Sequence, residues 1–179
     1  MQKESAASRI QANIKELFEA KLAPGEAYIK LQLTSKTTAL LSMEQVQESL
    51  IVKADRITAL PGMSESVVGM MNSRDRVFCV YDLPHLLNLP TTLIAAQQYQ
   101  IVVLEISQFL LVERKLQIGL AVEQINGITR LTVDRFQPPT DVPPGLQPFV
   151  KACFENAERQ FVLDLAAITA AITAAITTK

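Results

Sequence analysis

Val67-Val68-Gly69-Met70-Met71-Asn72-Ser73-Arg74-Asp75-Arg76-Val77-Phe78-Cys79-Val80-Tyr81-Asp82-Leu83-Pro84-His85-Leu86-Leu87-Asn88-Leu89 is the stretch whose reading decides the fold. Five polar residues, Asn72 to Arg76, separate two apolar segments and read as a surface turn with flanks anchored in a core. Val77 to Tyr81 reads as a strand, and Asp82-Leu83-Pro84 ends it in a short turn over Leu83 to Leu87. On the other side, Ser64 or Ser66 is placed to cap a short helix over Val67 to Met71. Arg74 is thereby displayed on a rigid base. Its planar fork suits either a partner's carboxylate or an internal pair with Asp75 or Asp82.

Upstream, Ile29, Leu31 and Leu33 alternate with Tyr28, Lys30 and Gln32, the period of a half-buried strand. Ser35-Lys36 turns that strand into Thr37 to Leu41, predicting a hairpin. Ser42 to Ile51 follows, then Asp55 to Leu60, closed by Pro61. Farther back, Ile10, Ile14, Leu17, Phe18 and Leu22 form one apolar stripe at helical spacing within residues 4–22, ended by Pro24-Gly25. This helical extension, residues 1–25, is expected to fold back onto its own domain.

Downstream, residues 88–98 have no strong period and read as a crossing segment. Tyr99 to Ile106 and Phe109 to Val112 are apolar runs, Gln117 to Ile125 is a strand, Asn126-Gly127 a tight turn, and Thr129 to Phe136 a further strand. Pro138, Pro139, Pro143 and Pro144 exclude a sheet interior there. Phe149 to Phe154 and Gln160 to Leu165 read as strands around a polar turn. The Ala-rich end places Leu165, Ile168, Ile172 and Ile176 on one helical stripe that packs on the domain. About nine short strands in two groups divided near residue 90, with a helix at each end, predict a mainly β architecture, and small barrels answer this pattern by removing strand edges.

Composition excludes several function classes. A chain of 179 residues can bury about 70% of its unfolded surface without metal or disulfide support. Its 17 basic and 18 acidic residues are interspersed, so it has no basic field for nucleic acid and no polybasic membrane arm. Cys79 and Cys153 sit in apolar runs, which reads as buried thiols in a reducing compartment more readily than as a disulfide framework. No run reaches the roughly 18 apolar residues of a membrane span and no secretion signal is visible, so the expected location is cytoplasmic.

Catalytic equipment is sparse. One His, scattered Gly and no Cys-x-x-Cys pair predict neither a metal site nor a phosphate loop, and no cofactor is expected. Cys79 and His85, six residues apart, are the one pair that allows a thiol-hydrolase reading. Cys79 alternates with Phe78 and Val80, however, and a reactive thiol needs an electropositive, accessible niche. Met43, Met70 and Met71 read as core fillers or as apolar contacts.

The opening stretch resembles the signature of CheW-like chemotaxis coupling proteins, (I/V)-x-G-(V/I)-x-N-L-R-G-x-(V/I)-(V/I)-P-(V/I)-(V/I)-D-L. Gly69, Asn72, Arg74, Asp82 and Leu83 match in register, while Ser73, Asp75 and Cys79 replace the usual Leu, Gly and Pro. Val46-Gln47-Glu48 is similar to the family's Val-Gln-Glu triplet, and the resemblance extends over about residues 27–177. It implies two five-stranded SH3-like barrels sharing a hydrophobic seam, within a CheW-like domain over 26–179. The first lobe would span about 37–90, and the second about 91–164 together with strand 27–34, closed by a helix over 165–178. It also implies a scaffold, not an enzyme, linking the cytoplasmic tip of a methyl-accepting chemoreceptor to the regulatory domain of a CheA-type histidine kinase at membrane receptor arrays. Met43, Val46 and Glu48 would face the kinase; Val68, Met71, Asn72 and Arg74 would face the receptor. The amino-terminal extension and altered turn resemble the PilI-type branch of twitching motility or phototaxis. A β-barrel adaptor unrelated to chemotaxis is the other reading of the same pattern.

Overall fold

A computed structural model describes residues 23–106 and 115–177, with side chains to residue 174. The expected helix over 4–22 and the run Phe109 to Val112 lie outside the described residues. Among the described residues, ten strands form two five-stranded sheets: β1 (Glu26–Thr34), β2 (Thr37–Ser42), β3 (Val46–Lys53), β4 (Val67–Ser73), β5 (Arg76–Asp82), β6 (Gln98–Ile106), β7 (Leu116–Val122), β8 (Gln124–Leu131), β9 (Val150–Glu155) and β10 (Arg159–Leu163). Among the described residues there are also two helices, α1 (Leu83–Leu86) and α2 (Leu165–Thr177), and several 3-10 turns.

One sheet runs β8-β1-β2-β10-β9 and the other β3-β6-β7-β5-β4. The lobes therefore do not divide near residue 90. Strands β3 to β7 form an inserted lobe, and β1, β2, β8, β9 and β10 form a terminal lobe around it. The reason is pairing: β2 bonds β1 and, in parallel, β10, whereas β6 and β7 close against β3 and β5. Sequence proximity alone does not select among such partners.

The two sheets repeat one plan. Each has an antiparallel hairpin, a parallel pairing and a second antiparallel hairpin, in the same order. Each is also closed on itself by the chain leaving its first edge strand. After β3, Ala54-Asp55-Arg56 makes a 3-10 turn and Thr58 exchanges two backbone hydrogen bonds with Met70 of β4, both 2.8 Å. After β8, Val133-Asp134-Arg135 does the same, and Gln137 pairs with Cys153 of β9 at 2.8 and 2.9 Å. Ala-Asp-Arg-Ile-Thr and Val-Asp-Arg-Phe-Gln thus form an internal repeat in which one bridge joins each barrel edge to edge.

Strand alternation places the cores. Ile29, Leu31, Leu33, Ala39 and Leu41 meet Val102, Leu104, Ile118 and Leu120 in a cluster between the lobes, and Ile168 and Ile172 of α2 join it, both fully buried. The opposite faces fill the barrels. Met71, Phe78, Val80, Ile101 and Val103 occupy the inserted lobe, and Tyr28, Leu40, Leu131, Phe154 and Val162 the terminal one. Because β6 and β7 are covered on both sides, they read as continuous apolar runs.

Two local expectations are corrected. Val67 to Met71 is strand β4, not a Ser-capped helix: Met70 pairs with Cys79 and Met71 with Phe78, and a register shift between Val67 and Gly69 breaks the two-residue period. Asn126-Gly127 is not a hairpin turn but a bulge inside β8 opposite Lys30, with Gly127 at φ +96°. An extra residue in one strand leaves the same sequence signal as a turn.

All three tyrosines have raised pKa values, through burial first. Tyr81, 3% exposed, is pushed up to about 12 by burial and then by Cys79. The folded chain keeps this proton where the unfolded chain, near 10, loses it. Stability present below pH ~10 is therefore lost as pH rises through about 12, by on the order of 2–3 kcal/mol for Tyr81. Tyrosinate absorbance should rise only above the usual midpoint and coincide with a falling urea midpoint; titration of all three rings near pH 10 in folded protein would contradict this burial.

Candidate functional site

Strand β3 alternates strictly, with Val46, Glu48, Leu50 and Val52 half-buried and Gln47, Ser49, Ile51 and Lys53 exposed. Across the barrel seam, β4 and β5 are joined by a two-residue turn, Arg74-Asp75, at φ +48° and +62°. The polar turn is thus two residues long, not five, because Ser73 and Arg76 already pair across the ladder. Both turn residues are left-handed, as twisted two-residue hairpins require, and Asp75 takes the conformation without glycine.

Charge anchors this turn to the neighbouring wall. Arg74 Nε lies 3.2 Å from Glu48 Oε2, and Ser73 Oγ donates to Glu48 Oε1 at 3.3 Å. Arg76 reaches Glu105 of β6 at 3.6 Å, and Lys115 meets the same carboxylate at 2.8 Å. The Lys115 ammonium, followed by Arg76, holds Glu105 below the usual carboxylate range. Arg74 therefore pairs with neither Asp75 nor Asp82; its partner is Glu48. The guanidinium is 82% exposed while the carboxylate is 16% exposed, so the pair presents a cation outward on a carboxylate base.

Between β3 and β4 the barrel wall opens into a groove of about 820 Å³, lined by Ile51, Lys53, Arg56, Asn72, Arg74 and Asp75 among others. Asn72 stands exposed beside it. Met71 does not: it is 4% exposed and fills the inserted barrel, because it pairs with inward-facing Phe78. Val68 is half-buried on that same core. Met43 and Val46 pack against the cluster between the lobes. Of the expected contact residues, Glu48, Asn72 and Arg74 are brought together at one surface, although Glu48 had been set on a different face from the other two.

Ile51, 66% exposed, and Val77, 60% exposed, are apolar surface residues that sequence reasoning missed. The signal for Ile51 was available, since it falls in phase with Gln47, Ser49 and Lys53. Val77 sits opposite Asn72 at the tip of the hairpin.

Cys79 and His85 do not resemble an activated nucleophile and its base. Burial pushes the Cys79 thiol up, the wrong direction for a thiolate, and the cysteine is held between Met70 and Ile118 in the sheet. His85 faces Glu65 at 3.9 Å. Asp82, 4% exposed, accepts from the His85 backbone N–H at 2.9 Å and from Thr91 Oγ1 at 2.6 Å. It caps α1 and ties down the crossing segment.

The family profile described as CheW-like domain matches residues 30–172. No curated protein sequence matches the chain. Among solved structures, the crystal structure of scaffolding protein TtCheW from Thermoanaerobacter tengcongensis is similar, with a TM-score of 0.64 and 18% identity, covering 79% of this chain and 90% of that one. At that identity the likeness establishes the fold. The described residues contain no helix long and apolar enough to cross a membrane.

Proposed function

The chain belongs to the CheW-like domain family, and from that premise we propose that it is a non-catalytic scaffold coupling chemoreceptors to a CheA-type histidine kinase. The single observation that carries the reading is the Glu48–Arg74 pair, which joins the family's Val-Gln-Glu triplet on β3 to its Asn-x-Arg turn after β4. A hairpin tip clamped to β3 by Arg74 and to β6 by Arg76 offers a preorganised surface. Little ordering is then needed on binding, which is how an adaptor with few contacts reaches useful affinity. The exposed Arg74 fork meets a carboxylate of the receptor tip, with Asn72 beside it and Val77 supplying apolar contact. The kinase regulatory domain takes the β3 side, around Glu48. The chain is held at membrane receptor arrays through these partners.

Exposed ion pairs add less than about 1 kcal/mol to folding. Arg74→Glu should therefore leave the urea midpoint almost unchanged and weaken receptor-tip binding at least tenfold, measured by pull-down and calorimetry. A variant that folds normally and binds receptor like the parent would remove Arg74 from the interface.

A further inference from the structure

We propose that Asn126-Gly127 is a site of spontaneous covalent modification, at which the folded chain converts its own asparagine to aspartate and isoaspartate. Asn13, Asn72, Asn88, Asn126 and Asn156 are followed by Ile, Ser, Leu, Gly and Ala, so Asn126 alone has a following residue without a Cβ. The chemistry turns on that residue. The Gly127 backbone nitrogen attacks Asn126 Cγ, the Cγ–Nδ2 bond breaks, and ammonia leaves with the proton that the attacking nitrogen gives up. Water then opens the cyclic imide at either carbonyl. Opening at Cγ yields aspartate, and opening at the main-chain carbonyl yields isoaspartate, in which the chain runs through the side chain. A Cβ on the attacking residue crowds this approach, and glycine removes the obstacle.

A regular strand suppresses such a ring closure, because the ladder fixes the backbone on both sides of the asparagine. In β8 the ladder is interrupted. Ile128 pairs with Ile29 and Ile125 with Leu31, so Asn126 and Gly127 both stand opposite Lys30, outside the register. Among the described strands β8 is the edge of its sheet and pairs with β1 alone. Both residues are exposed. Gly127 is at φ +96°, and a Cβ built on it meets nothing within 4 Å, so no neighbouring atom blocks the imide or the water that opens it.

One contact restrains the amide: Asn126 Nδ2 donates to Gln32 Oε1 at 3.2 Å. A single neutral hydrogen bond at the surface slows the side chain's turn toward Gly127 by roughly fivefold and does not prevent it. The same Gln32 oxygen accepts from Thr38 Oγ1 at 3.3 Å. After conversion the carboxylate has no proton to give, so acceptor faces acceptor and this tie between β8 and β1 is lost.

The full-length protein, incubated in mildly alkaline buffer with and without urea and followed by peptide mapping with mass spectrometry, tests the site; isoaspartyl methyltransferase labels the isomeric product. In the folded chain Asn126 should convert roughly tenfold or more faster than Asn72 and Asn156, which are also exposed but precede residues with a Cβ. Its rate should stay within roughly tenfold of that in urea, since the fold adds one exposed hydrogen bond as a restraint. Gly127→Ala places its Cβ in open space and should slow conversion by roughly tenfold while circular dichroism stays that of the folded chain. Conversion of Asn126 seen only in urea would overturn the proposal, because the strand then protects the site. So would equal rates at the three exposed asparagines, or a rate unchanged by Gly127→Ala.

Discussion

Gly69→Ala should destabilise the fold by about 3 kcal/mol or more, the largest single-residue effect expected outside the seam between the lobes. Gly69 sits at φ +154°, and a Cβ there would stand 2.4 Å from the Thr58 carbonyl oxygen and 2.8 Å from its carbon. Those atoms are backbone, and they belong to the bridge that closes the inserted barrel, since the Thr58 carbonyl accepts the Met70 N–H at 2.8 Å. The clash cannot be relieved by a rotamer change; the bridge must open and expose the Met71, Phe78 and Val80 core. Urea unfolding measures this directly: the midpoint should fall sharply, and a parental midpoint would show that the wall tolerates a side chain at that point.

The second large effect lies at Asp82. Asp82→Ala leaves the His85 N–H and the Thr91 hydroxyl without an acceptor in a buried setting, a loss of about 2–4 kcal/mol. Thr91 also receives the Leu93 N–H at 3.1 Å, and Tyr99 donates to the Leu93 carbonyl at 3.1 Å, so the crossing segment loses its attachment together with α1. Asp82→Asn keeps one acceptor oxygen for the His85 N–H and should cost about half as much or less. Equal unfolding midpoints for the two variants would show that the carboxylate oxygens are not what holds this corner.

Most of the fold was legible because the strands announce themselves. The β1–β2 hairpin, the β9–β10 pair and the closing helix follow from two-residue and helical periods, and the mainly β architecture follows from their number, whereas the two five-stranded barrels were implied by the family resemblance. Lobe membership was not legible. β2 stands in one sheet and β3 in the other, separated by a single 3-10 turn, Met43–Gln45, and nothing local marks that crossing. The Asp-Arg repeat at 55–56 and 134–135 was the available clue, since each copy follows the edge strand of its own barrel. At the candidate site, the structure brings together Glu48 and Arg74, which the sequence reading had set on two faces. Glu48 and Arg74 lie 26 positions apart in sequence and meet only because the barrel closes. Met71 read as a core filler or an apolar contact from its type and as a receptor contact from the resemblance; in strand β4 it points into the inserted barrel.

Calorimetric titration of the chain with the regulatory domain of a CheA-type kinase from the same organism tests the central claim most directly. Glu48→Lys is the informative variant, because Val46 packs on the seam core and Val46→Asp would confuse folding with binding. The coupling account predicts saturable heat for the parent, its loss in folded Glu48→Lys, and partial recovery when Arg74→Glu is added to restore the pair with its signs exchanged. Absence of saturable heat with the parent folded, or undiminished binding by Glu48→Lys, would contradict the account.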